Sequence, residues 1–66
     1  MKYVVRIDTL KSPCYYMGSL RSVKFNKRFP MITTHREDAK QFDSYLEAAY
    51  EGEEYLSNDI FVIEAL

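Results

Sequence analysis

The stretch Thr33–Ala49, TTHREDAKQFDSYLEAA, decides how this chain folds. It carries two helix-start signals ten residues apart, Thr34-x-x-Glu37 and Ser44-x-x-Glu47. In each, a hydroxyl can accept from an exposed backbone N–H while the glutamate reaches back, a capping box. One continuous helix would align Ala39, Phe42, Leu46 and Ala49 in a single stripe. Asp43 and Ser44 oppose it, because Asp and Ser compete for backbone hydrogen bonds inside helices and favour their ends. The spacing therefore predicts one helical turn near 35–40, Phe42 turning into the core, and the main helix over about 45–55.

Outward from this stretch, KYVVRID (2–8) is rich in β-branched and aromatic residues and reads as a strand. Tyr3, Val5 and Ile7 share one face; Val4 and Arg6 share the other. TLKSP (9–13) has turn chemistry, and CYYM (14–17), ended by Gly18, reads as a second strand paired with the first. Val23 and Phe25 alternate with Ser22 and Lys24 as in a half-exposed strand. NKRFP (26–30) reads as a loop because Pro30 cannot donate to a ladder, and MIT (31–33) as a short extended piece. Gly52 costs roughly 1 kcal/mol relative to Ala in a helix interior and marks a stop or bend. LSND (56–59) is turn-like, and IFVIEAL (60–66) reads as a buried final strand.

The fold class that results is α+β: a small, mainly antiparallel sheet of three to four strands, ordered β-β-(β)-α-β, with one main helix on one face. The expected core is Tyr3, Val5, Ile7, Phe42, Leu46, Tyr50, Phe61 and Ile63. The opposite face, with Val4, Arg6, Ile60 and Val62, is apolar enough to serve as an interface, so a homodimer through it is one expectation. The 66 residues make a single small domain, with a thin stability margin. Cys14 is the only cysteine and His35 the only histidine, which excludes an internal disulfide and a four-ligand structural zinc site. Cys14 reads as a buried or half-buried strand thiol. The run YVVRI is interrupted by Arg6 and followed by Asp8, neither a signal-peptide core nor a membrane span, and the expected location is cytoplasmic.

Charge is the main signal beyond shape. Residues 1–36 hold eight basic residues against Asp8 alone, a net +7, whereas residues 37–66 hold nine acidic residues against Lys40, a net −8. Such halves either pair across the fold and cancel or form separate surfaces. No catalytic constellation stands out: His35 has no nucleophile near it in sequence, the carboxylates read as a solvated helix face, and the two glycines are too far apart for a phosphate loop. The reading is a non-enzymatic protein without cofactor or metal. Two binding surfaces compete. Glu47, Glu51 and Glu54 recur on one helix stripe and, with Glu53 and Asp59, could meet a basic protein surface, or simply aid solubility. Arg21, Lys24, Lys27 and Arg28 surround Phe25 and Phe29, the composition of a nucleic-acid binder. The same pattern arises in an amphipathic strand-loop whose phenylalanines point inward. A sequence pI near 5.7 puts direct nucleic-acid binding second.

The succession YYMG, ITTHREDAKQFDSYLEAA and FVIEAL resembles a pattern found in small proteins of bacteriophages and mobile elements, over residues 14–66. Some proteins of that kind are host-defence inhibitors such as anti-CRISPRs. The resemblance implies action by binding and blocking a bacterial host protein, often at its nucleic-acid site. The shared positions are capping and core positions, so no functional residue is carried over from it.

Overall fold

The structure is a computed structural model that describes residues 1–8, 12–56 and 60–66. It is the expected α+β arrangement. Strands β1 (Tyr3–Ile7), β2 (Cys14–Ser22), β3 (Lys27–Thr33) and β4 (Phe61–Ala65) form one antiparallel sheet in the order β3-β2-β1-β4. Helix α1 (Tyr45–Tyr55) packs on one face. A single 3-10 turn, Arg36–Asp38, precedes it, so the stretch does break into two pieces, although only the second start signal acts as a cap. The turn readings at 9–11 and 57–59, and the proposed partner contact Asp59, lie outside the described residues.

Alternation along β1 works as expected: Val5 and Ile7 join Cys14, Tyr16, Phe42, Ala48 and Leu56 in the core, with Tyr3, Tyr55, Phe61 and Ile63 packed at its margin. Cys14 is a buried free thiol. Phe42 reaches the core from an extended segment, bridged to Tyr3 by two backbone hydrogen bonds of 2.9 and 2.8 Å. Ser44 caps α1, its Oγ accepting from the Glu47 N–H at 3.1 Å. Thr34 does not cap the 3-10 turn; the neighbouring Thr33 Oγ1 accepts from the His35 N–H instead.

The helix phase departs from the sequence reading. Leu46 and Tyr50, expected in the core, are 67% and 72% exposed. Ala48 and Gly52 face the sheet, with Tyr55 half-buried beside them. The sequence reading buried the helix's bulky apolar residues, but the close approach of Phe61 to Gly52 turns the small residues inward and leaves Leu46 and Tyr50 outside. Helix α1 also runs through Gly52 rather than stopping there. A Cβ at Gly52 would lie 2.7 Å from Phe61 Cε2, so hydrogen in place of a side chain is what lets α1 approach β4.

The second correction concerns residues 18–33. Val23–Asn26 is a turn, not a strand, and Lys27–Pro30, expected as a loop, belongs to β3. Asn26 takes the left-handed backbone (φ 48°) that closes such a turn, and Ser22 Oγ accepts from the Phe25 N–H. Pro30 is tolerated because β3 is an edge strand. β4 is the other edge and is half-exposed, not buried. A register shift between Tyr16 and Gly18, the latter at φ +125°, marks where the β2–β3 ribbon leaves the sheet. β2 pairs with β1 only through Tyr15 and Cys14. Next to it, the Lys40 N–H donates to the Tyr16 carbonyl at 2.9 Å, so Ala39–Phe42 fills the gap opened between β1 and the departing ribbon. Beyond that point the ribbon is two-stranded and projects as an arm, and nearly all of β3 is exposed. Among the described residues no helix is long and apolar enough to cross a membrane.

Candidate binding surfaces

The fold sorts the charges into a laced middle, an acidic pole that is partly paired and a basic pole without ion pairs among the described residues. In the middle, Arg6 pairs with Glu64 and with Asp8 (2.8 Å), Arg36 with Glu64 (3.4 Å), and Lys2 with Asp43. The Glu64 hydrogen bond raises the Arg6 pKa, and the Lys2 hydrogen bond holds the Asp43 carboxyl below its ordinary value. The Arg6–Glu64 pair lies on the sheet face opposite α1, whereas Asp43 lies beside the helix. On that sheet face Val4 is fully buried and the Arg6–Glu64 pair lies across the surface, while Val62 and Ile60 stay exposed. The expected apolar face is therefore interrupted by an ion pair.

The acidic pole is α1 and its approach segment. Glu51, placed by sequence on the exposed acidic stripe, is half-buried and already engaged. Its Oε2 accepts from the Tyr16 hydroxyl at 2.8 Å and from Lys40 Nζ at 2.7 Å. Burial of Tyr16, followed by its bond to the Glu51 carboxylate, raises the phenol pKa above its ordinary 10. Lys40 Nζ also sits 5.1 Å from the centre of the Phe42 ring. Tyr16, absent from the expected core, is the fully buried centre of this cluster, stacked between Phe42 and Tyr55. Only its pairing with the 40–51 segment, across 35 residues of sequence, makes it recognisable.

Glu47, Glu53 and Glu54 form no ion pair among the described residues. With exposed Leu46 and Tyr50 they make the outer face of α1. Beside it lies an open groove of about 340 Å³, with Phe42 and Tyr50 among its lining residues and Asp43, Glu47, Glu51 and Glu54 around them. Among the described residues Lys40 is the only cation lining it.

The basic pole is the projecting arm. Arg21, Lys24, Lys27 and Arg28 all lie on it, and none forms an ion pair among the described residues. Residues 12–36 contain no acid at all. Phe25 is 65% and Phe29 40% exposed, so the phenylalanines point outward rather than into a core. The structure thus brings each candidate set together as a separate surface: the glutamates, less Glu51, on α1, and the four cations on the ribbon. No protein-family model, no curated protein and no solved structure matches this chain.

Proposed function

We propose that this chain is a small non-enzymatic binding protein whose acidic helix face docks on a basic surface of a bacterial defence or nucleic-acid-handling protein and blocks it. The phage-type resemblance of the sequence supplies the class of target. The observation that carries the reading is the outer face of α1. There Glu47, Glu53 and Glu54 have no ion partner among the described residues and surround exposed Leu46 and Tyr50. An exposed tyrosine ringed by unpaired carboxylates is the composition of an interface anchor with a steering rim. The adjoining groove can take a partner's Lys or Arg between the Tyr50 ring and the carboxylates of Glu47 and Glu54. Glu51 is not part of the docking set, because it already serves Tyr16 and Lys40.

The test is a pull-down from bacterial lysate with the tagged chain, wild type against Glu47→Lys/Glu53→Lys/Glu54→Lys, followed by identification of what co-purifies. Glu47 also sits in the first turn of α1, where a lysine is disfavoured by roughly 0.3–1 kcal/mol, so the triple variant should still unfold cooperatively, a few degrees lower at most, and lose the partner. A partner retained by the triple variant at wild-type level refutes the acidic-face reading.

A further inference from the structure

The basic arm is a second surface, independent of the helix face, and its chemistry is more specific than positive charge alone. Arg21 on β2 stands directly opposite Arg28 on β3 in the ladder. Like charges directly opposed across two strands are destabilising. Here no acid between residues 12 and 36 relieves them. Each guanidinium instead donates to one neutral acceptor, Arg21 to Asn26 Oδ1 at 2.9 Å and Arg28 to Ser19 Oγ at 3.2 Å. A guanidinium has five N–H donors, so most of each fork stays available. The two arginines are therefore paired with each other in space, tethered, and unmatched by any anion of the chain's described residues.

On the ribbon's other face, where Phe29 follows Arg28 along β3, stand two aromatic rings. Phe25 and Phe29 meet edge-to-face with centroids 6.4 Å apart. Lys24 Nζ lies 5.6 Å from the Phe25 centroid and Lys27 Nζ 5.5 Å from that of Phe29. Each ring thus carries an ammonium at a cation–π distance in water. These rings line no core, and the ribbon beneath them has no third strand to stabilise it.

We infer that the β2–β3 arm is a binding site for single-stranded nucleic acid. Phosphates take the Arg21–Arg28 pair and the two lysines, and unpaired bases take the ring faces that the ammonium groups then vacate. Flat aromatic faces with ammonium groups beside them, and phosphate-matching forks on the reverse of the same two-stranded ribbon, fit a flexible chain that alternates an anion with a stackable base. A duplex offers the phosphates but not the base faces. A bilayer fits worse, because inserting Phe25 and Phe29 would carry the overlying ammonium groups into hydrocarbon. The inference does not depend on the helix-face reading, since it uses none of the same residues.

The experiment is fluorescence anisotropy with a labelled oligothymidylate of about 12 nucleotides at low salt, the full chain as titrant. Binding should weaken with added salt along a log–log slope of about −3, the value for four phosphates on a single strand. Phe25→Ala and Phe29→Ala should each lower affinity roughly 5- to 150-fold with the salt slope unchanged. Lys24→Glu/Lys27→Glu should lower affinity and flatten the slope. All four positions are exposed, so each variant should keep the wild-type melting curve. No anisotropy change at low salt overturns the inference. So does duplex binding equal to single-strand binding with the phenylalanine variants unaffected, or binding confined to phosphatidylserine vesicles. Glu47→Lys/Glu53→Lys/Glu54→Lys, which tests the helix face, should leave oligothymidylate binding intact, so failure of one reading is distinguishable from failure of the other.

Discussion

Replacing Gly52 by alanine should reverse the usual helical rule, and the reversal should vanish when Phe61 is made smaller. In an exposed helix interior, Gly→Ala stabilises by about 1 kcal/mol. Here the new methyl carbon would lie 2.7 Å from Phe61 Cε2, 2.8 Å from Cζ and 3.2 Å from Cδ2. Ordinary carbon contacts sit near 3.5–4.0 Å, so the ring or the helix must give by about 0.8 Å or more. Overpacking of this kind costs about 1–3 kcal/mol. Set against the propensity gain, the net effect is a loss of about 0–2 kcal/mol, and each kcal/mol lowers the melting temperature by roughly 4–8 °C in a domain of this size. The sharper quantity is the coupling. In a Phe61→Leu background the strain is relieved, and Gly52→Ala should stabilise by about 1 kcal/mol. Denaturant unfolding of the four proteins in the cycle should therefore give a coupling energy of about 1–3 kcal/mol. Additivity within about 0.5 kcal/mol would refute the close approach of α1 to β4.

Two further outcomes follow from the cap and the buried phenol. Ser44→Ala removes the acceptor for the Glu47 N–H and should cost about 1 kcal/mol, read as a melting temperature lower by roughly 4–8 °C. A variant that melts with wild type would show that the cap contributes nothing. Tyr16→Phe removes the bond to the Glu51 carboxylate and should cost roughly 1.5–3 kcal/mol near neutral pH. Its alkaline behaviour is the stronger check. The folded-state pKa of Tyr16 is raised, so its contribution is fully present below the unfolded value near 10 and is lost as pH climbs above it. Wild-type stability should fall more steeply than that of Tyr16→Phe as pH rises past about 10, and parallel curves would refute the assignment.

Local chemistry that acts within a few residues was readable from the chain. The Ser44 cap, the break before it, the limits of α1 and the alternation of β1 depend on neighbours in sequence, and each stands where its pattern places it. The existence of two charged populations was equally legible, because charge needs no fold to be counted. What escaped were relations fixed by distant partners. The rotation of α1 is set by Phe61 pressing on Gly52, which leaves Leu46 and Tyr50 outside although they are the helix's bulky residues. Pro30 looked like a strand breaker until the sheet order made β3 an edge. Tyr16 looked like one of a pair of strand aromatics until Glu51, 35 positions away, gave its hydroxyl an acceptor in the core.

The candidate surfaces divide in the same way. Sequence named every residue of both sets, and the fold decided their use: it withdrew Glu51 into the core network and turned Phe25 and Phe29 outward. By itself the chain determined β1, the limits of α1, its class and its charge inventory, since propensity, capping and counting are local properties, whereas the turn at Val23–Asn26 and the strand after it were not readable. Which side of each element meets another, and which charges find partners, belonged to the tertiary structure alone. Packing fills space among residues far apart in sequence, and no local pattern records which of them will meet.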